Sequence, residues 1–436
     1  MNLPSALRYL DAHTNLEAVA GRVEGLSLER MTRLAHTLGD PQRAYPVIHV
    51  TGTNGKGSVA RMATALLRAQ GLSVGTYSSP HLEQLNERLA WDGEPVDDDT
   101  LGRLIGDIAA LEATAGVTPS YFEILTAAAF AWFAELAVDV AVVEVGMLGR
   151  YDATNVADAT VAVCTNVGRD HTDGAQGWRQ AIASEKAGIV KPGVTDVLVL
   201  GETAPALRDV FAAAGAGETW VRDEDFGVAA DRVAVGGRLV DLRTPGGRTD
   251  EVYLPVHGAH QGENAAVALA AVEAFLGRPP SEETVTEAFA GLTLPGRFEV
   301  VSRHPTVVVD AAHNVEGAAA TAATLADDMA LPGSLLVVVG MLGGRDPEEV
   351  LAALRVADAG LVITCTPASP RAVPAAELAA VALRMGAAAE SVPAPVEAVR
   401  RALALATEDD LVLVTGSLYV AGPVRAALAA DLEVAP

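Results

Sequence analysis

The sequence predicts an α/β protein: two parallel-sheet domains, the first with a small antiparallel add-on, the second Rossmann-like. Three observations carry this. Short β-branched runs alternate with helix-patterned segments from about residue 47 to the end, which is how parallel strands with covering helices read. A glycine-rich stretch joins the first strand to the first of those helices. The alternation is interrupted once, between Phe226 and His257, by short strands separated by glycine turns.

Taken in order, Val47–Thr51 is the first strand, and the helix that follows runs from Val59 to Gln70, closed by Gly71 where a left-handed C-cap is expected. Val138–Val145, Thr160–Val167 and Val197–Leu200 are apolar enough to be buried on both faces. Trp178–Ala187 has a helical pattern. Gly236-Gly237 and Gly246-Gly247 mark the turns of the add-on, and helices follow at Glu263–Phe275 and Ser281–Leu292. Leu294-Pro295-Gly296-Arg297 breaks the chain. Beyond it come Val307–Asp310, Leu335–Val339, Leu361–Cys365 and Leu411–Thr415, with alanine-rich helices between them. The expected division is a first domain over residues 1–295, a linker over 296–300 and a second domain over 301–436.

Composition agrees. A chain of 436 residues exceeds the roughly 250–300 that one core sustains. Half the residues are hydrophobic but only 4% aromatic, so the cores are built from Ala, Val and Leu. The formal net charge of −25 repels nucleic acid and anionic membranes. A bound nucleotide therefore needs local donors and a metal. Cys164 and Cys365 lie in strand-like runs and read as buried thiols, with no disulfide framework. Met1–Glu17 lacks the pattern of a signal peptide, and no uncharged apolar stretch approaches the ~18–20 residues that span a bilayer. A cytoplasmic monomer, without nucleic-acid or membrane partners, is expected.

Only three of the 31 basic residues are lysines: Lys56, Lys186 and Lys191. Arginine replaces lysine wherever positive charge suffices, but not where a compact ammonium or a deprotonatable amine is needed. Lys56 lies in Thr51-Gly52-Thr53-Asn54-Gly55-Lys56-Gly57-Ser58, between strand and helix. Such a loop aims backbone N–H groups and a helix N-terminus at an anion, with Lys56 toward the β/γ-phosphates and the Ser58 hydroxyl toward Mg²⁺. Val50 and Gly57 stand where the usual P-loop has glycine and a hydroxyl residue. Glu144 ends an apolar strand, where a Mg²⁺ ligand belongs beside a phosphate loop. Lys191 reads as a structural or helix-end cation.

The variant loop resembles that of the Mur-ligase superfamily, and within it the folylpolyglutamate synthase/dihydrofolate synthase family. The resemblance runs in order through Ser78-Ser79-Pro80-His81, Asn86-Glu87-Arg88, Tyr121-Phe122-Glu123, Gly149-Arg150-Tyr151-Asp152-Ala153-Thr154-Asn155 and Thr165-Asn166-Val167-Gly168-Arg169-Asp170-His171. It continues through Glu185-Lys186-Ala187-Gly188, His260-Gln261, Asn264-Ala265-Ala266, Pro295-Gly296-Arg297-Phe298-Glu299, Ala312-His313-Asn314 and Gly416-Ser417-Leu418-Tyr419. Leu148 and Ala311 stand where the family commonly has glycine, and Arg345 where it often has lysine.

The resemblance implies an ATP-dependent ligase that adds L-glutamate to a reduced folate, to dihydropteroate, or to both, through an acyl phosphate. It implies that Thr53, Asn54, Gly55, Lys56, Gly57, Ser58, Asn264, Arg297 and Asp310 contact ATP. Two Mg²⁺ are implied, on Ser58 and Glu144 and on Ser79, Glu144 and His171. Arg88, His313, Ser417 and Tyr419 are implied for glutamate, and Phe122 for the pterin neighbourhood. Carbamylation of Lys186 and a monovalent cation are implied as well. A muramyl-peptide ligase is the alternative among enzymes, although only 51 residues precede Gly52. A nucleotide-dependent switch is the alternative from another class, although it would not need the polar cluster of the second α/β series.

Overall fold

The computed structural model describes residues 1–15, 27–169, 176–329 and 332–434. Strands β1 (Val47–Thr51), β2 (Val74–Tyr77), β3 (Leu89–Trp91), β4 (Glu94–Pro95), β5 (Val140–Glu144), β6 (Ala159–Cys164), β7 (Val197–Leu200) and β8 (Glu218–Val221) form one sheet. Their order is β4-β3-β2-β5-β1-β6-β7-β8; β2 and β5 to β8 run parallel with β1, and the β3-β4 edge is antiparallel.

Alternate residues of the central strands feed two cores, as the two-residue period of a strand requires. Ile48, Val50, Val142, Val161 and Val163 pack with helices Lys56–Ala69 and Ala259–Leu276. Val47, Tyr77, Ala141 and Val143 pack with helices Asp98–Ala115 and Tyr121–Glu135. Helix Lys56–Ala69 begins three residues earlier than its apolar pattern indicates, because the phosphate loop itself supplies the first turn. Gly71, with φ 82°, follows its end as expected.

The add-on is a three-stranded antiparallel sheet of β9 (Gly227–Ala234), β10 (Gly237–Thr244) and β11 (Gly247–Leu254). A third sheet contains β12 (Glu299–Arg303), β13 (Thr306–Val309), β14 (Leu335–Val339), β15 (Leu361–Thr364), β16 (Ala389–Ser391) and β17 (Leu411–Thr415) in the order β12-β13-β17-β14-β15-β16. It is parallel except for the β12 edge, which the periodicity did not reveal. Cys164 and Cys365 are buried free thiols. Among the described residues, no helix is long and apolar enough to cross a membrane.

Polar links join the sheets, among them the following. Arg238 of β10 bonds the buried carboxylate of Asp328, which also accepts from Gly258 N (2.8 Å). Arg425 pairs with Glu83 (2.6 Å) and Glu299 (2.8 Å). The Asn54 and Asn314 side chains bond each other reciprocally, at 2.9 and 3.3 Å.

Candidate active site

Four neighbouring strands of the first sheet deliver their carboxyl ends to one crevice, where ligands bind in open parallel sheets. From β1 comes the phosphate loop, from β2 Ser78-Ser79, from β5 Glu144, and from β6 Thr165–Gly168. The last segment holds the loop's shape. Asn54 N donates to Asn166 Oδ1 (3.0 Å), while Thr165 Oγ1 (2.6 Å) and Asn166 Nδ2 (3.0 Å) donate to Asn54 O. Two glycines are dictated by this packing. Gly55 has φ 82°, and a Cβ there would lie 2.4 Å from Asn264 Oδ1; at Gly52, with φ 149°, it would lie 1.8 Å from Thr165 Oγ1.

Glu144 is 5% exposed and accepts from Ser79 N at 3.2 Å. Burial pushes its pKa upward, opposed first by Lys56, then by the Ser79 N–H, Arg297 and Arg61. Three cations thus surround one carboxylate in a chain whose net charge is −25. This is how an acidic protein presents a locally positive cleft to an anion. The sequence reading missed Arg61. Its guanidinium is pulled below its ordinary pKa by burial and partly restored by Glu87. Nothing in the helical pattern separates Arg61 from a surface arginine; only the arrival of Arg297 and Glu144 beside it does.

The donors beside Glu144 suit a divalent metal. Ser79 Oγ is buried without a hydrogen-bond partner beside Glu144. The Ser58 side chain is buried in the first turn of the loop's helix. Hydroxyl and carboxylate oxygens suit Mg²⁺, so these residues fit the ion. Among the described residues, no group of three or more His, Cys, Asp and Glu is placed to hold a metal. His171 lies outside the described residues.

Lys186 is 4% exposed in the last turn of helix Trp178–Ala187, and Cys164 feels its charge. Burial drives that thiol's pKa up to about 12. Lys191 does something different: Nζ donates to Ala157 O (2.6 Å) and pairs with Asp158 (2.9 Å). Lys191→Arg keeps both bonds within reach, so turnover and thermal midpoint should stay near wild type, within about 0.5 kcal/mol in stability.

The third sheet brings Asp310, His313, Asn314, Ser417 and Tyr419 to the carboxyl ends of β13 and β17. His313 Nδ1 donates to Ala311 O at 2.9 Å, and Ser417 Oγ accepts from Tyr419 N at 3.2 Å. Asp310, one residue beyond its strand, accepts from Phe298 N (2.8 Å), Ala312 N (2.9 Å) and Thr321 Oγ1 (2.8 Å). It therefore ties the Arg297-Phe298 segment to the second α/β unit. Arg88 is 1% exposed, donates from Nε to His81 Nδ1 (3.0 Å) and stacks 5.7 Å over the Tyr121 ring. It is buried, as Glu144 and Ser79 are. Phe122 rests against Gly146 and lies 5.9 Å from the Tyr77 ring. Leu148, in place of a glycine, adopts φ 60°, a conformation that strains any residue with a Cβ. Ala311 has no positive φ and is fully buried.

Comparison with known proteins gives a consistent result. Residues 50–272 match the Mur ligase middle domain, and residues 296–418 match the Mur ligase glutamate ligase domain. The dihydrofolate synthase/folylpolyglutamate synthase of Mycobacterium tuberculosis is 43% identical over 375 residues, covering 81% of this chain and 77% of that protein. The folylpolyglutamate synthase structure from the same organism, complexed with ADP, superposes with a TM-score of 0.91 at 38% identity, covering 98% of both chains. The Escherichia coli FolC structure with DHPP and ADP gives 0.87 at 31%, covering 99% of both. A Yersinia pestis bifunctional folylpolyglutamate synthase/dihydrofolate synthase with AMPPNP and Mn ion gives 0.85 at 31%, covering 98% of both.

Proposed function

The chain belongs to the folylpolyglutamate synthase/dihydrofolate synthase family of Mur ligases, and from that premise we propose that it joins the amino group of L-glutamate to a folate-type carboxylate, with ATP converted to ADP and phosphate. The observation that carries the reading is the convergence of Lys56, Arg61 and Arg297 on the buried Glu144, beside the unpartnered Ser79 hydroxyl.

Two steps balance the chemistry. A carboxylate oxygen of the folate-type substrate attacks the γ-phosphorus of ATP, and the bond to ADP breaks, leaving an acyl phosphate. The glutamate nitrogen then attacks the acyl carbon and loses a proton as phosphate departs. Neither step needs a nucleophilic side chain, so the protein positions the reactants and offsets their charge. Lys56 and the backbone of Thr53–Ser58 hold the phosphates, Asn264 packs on the loop, and Arg297 adds charge from the linker. Ser58, Ser79 and Glu144, with His171, hold divalent metal, which when bound neutralises charge on the transferring phosphoryl group. His313, Ser417 and Tyr419 receive glutamate. Arg88 joins them as the carboxylate clamp. We place the division between the two domains at residues 296–300, which run into the first residues of β12, with Asp310 as the tether across it.

Glutamate-dependent phosphate release, measured side by side with dihydropteroate and with reduced folates, tests the function. Release is expected only with a pteroyl substrate and glutamate together; release without either would overturn the reading.

We also propose that Lys186 is carbamylated, since a buried amine gains a carboxylate-like group that arginine cannot form. Lys186→Ala should then lose ligation and regain part of it with acetate, whereas Lys186→Arg should be inactive with or without acetate. An active Lys186→Ala variant would remove the carbamate from the mechanism.

A further inference from the structure

The Gly146–Asn155 segment leaves the crevice directly after Glu144, and it touches three parts of the site. Gly146 lies against the Phe122 ring, and Leu148 O accepts from Thr51 Oγ1 at 2.6 Å. Arg150 N donates to Glu185 O at 2.9 Å, on the helix that carries Lys186. Its backbone is held in an unfavourable shape at Leu148, so something must over-determine it.

The restraint comes from beneath, from the strand that carries the phosphate loop. His49 of β1 has no exposed surface, and its Nε2 lies 2.8 Å from Thr154 Oγ1. Thr154 Oγ1 donates in turn to Asp152 Oδ1 at 2.5 Å, and Asp152 Oδ2 accepts from Met147 N at 2.8 Å. The order of donors is fixed by the backbone N–H groups that Asp152 accepts from. Both Asp152 oxygens already accept from backbone N–H groups, Oδ1 from Thr154 and Oδ2 from Met147, so the Thr154 hydroxyl donates to Oδ1 and accepts from the His49 Nε2–H. His49 Nδ1 is then a bare acceptor, buried and without a partner, which costs less than an orphaned N–H. Burial drives the imidazole pKa down to about 3, so the ring is neutral and the relay keeps one arrangement around neutral pH.

We propose that His49 is a positioning residue: through Thr154 and Asp152 it holds the Gly146–Asn155 segment in the shape that, with Phe122, receives the pteroyl part of the carboxylate substrate. This rests on the function proposed above. His49 touches no substrate. It couples the strand under the phosphate loop to the wall of the pteroyl site, so phosphate and carboxylate are held in one register.

The test compares His49→Gln, whose side-chain amide can still donate to Thr154, with His49→Leu and Thr154→Val, in the full-length protein below each variant's thermal midpoint. His49→Leu and Thr154→Val should raise KM for the pteroyl substrate about tenfold, the scale of a small misplacement in a reacting pair. KM for ATP should stay unchanged, and His49→Gln should recover most of the loss. Equal rises in both KM values, or a Gln variant no better than Leu, would overturn the proposal, because a merely structural role lowers stability without that selectivity. If wild-type protein releases no phosphate with any pteroyl substrate, the functional reading fails instead. Should His49→Leu not fold, Thr154→Val, which is nearly isosteric, decides the question alone.

Discussion

Lys56→Arg lowers glutamate-dependent phosphate release by about 10²–10³-fold, the loss seen when one pre-placed donor to developing charge is removed. The charge is kept, so the effect isolates shape. Lys56 folds back over its own loop, with Nζ 3.3 Å from Thr53 O, and its ammonium is the first opposing charge that Glu144 feels. The loop around it is closed on both sides: Asn264 would collide with any side chain at Gly55, and Thr165 with any at Gly52. A planar, delocalised guanidinium does not reproduce the compact point charge of an ammonium at that place. Steady-state release at saturating ATP measures the effect, and a variant retaining more than about a tenth of wild-type turnover would place the phosphate lysine elsewhere.

Glu144→Gln separates stability from activity. Burial raises the Glu144 pKa despite Lys56, Arg297 and Arg61, so desolvation outweighs their attraction in the metal-free protein. A carboxyl with a raised folded-state pKa contributes stability below its unfolded pKa and loses it as pH rises through the folded value. At neutral pH the ionised group is therefore a cost, and Asp152, also raised by burial, behaves the same way. Glu144→Gln should raise the metal-free thermal midpoint by about 1–2 °C, the change that roughly 1 kcal/mol produces in a chain of this size. The stabilisation that Mg²⁺ with nucleotide gives the wild type should disappear, and turnover should fall about 10²-fold or more. A variant that is destabilised without metal yet still stabilised by Mg²⁺ would show that Glu144 is a structural acid.

These expectations were legible in the sequence to different depths. The phosphate loop, Glu144 at the end of an apolar strand, the add-on between Phe226 and His257, and the second α/β series all follow from local patterns, and the structure places them as read. The antiparallel edges β3-β4 and β12 do not, because a short edge strand carries too few residues to show a period. Nor do the helices Leu3–Asp11, Glu29–Thr37, Asp98–Ala115 and Tyr121–Glu135, which cover one face of the first sheet.

What the sequence by itself determined is which residues stand at strand ends and helix starts, since periodicity and turn chemistry act over a few residues. What only the tertiary structure decided is which of those ends meet. Arg61 joined the cleft because Arg297 arrives from the linker, more than two hundred positions later. Asp310 proved to be tied to Phe298, Ala312 and Thr321, and Arg88 to be sealed under Tyr121 and His81. His49, an ordinary strand residue in the sequence, became the root of a relay because Thr154 lies 2.8 Å away in the fold. Desolvation and hydrogen-bond pairing are set by contacts between distant segments, and no local pattern encodes them.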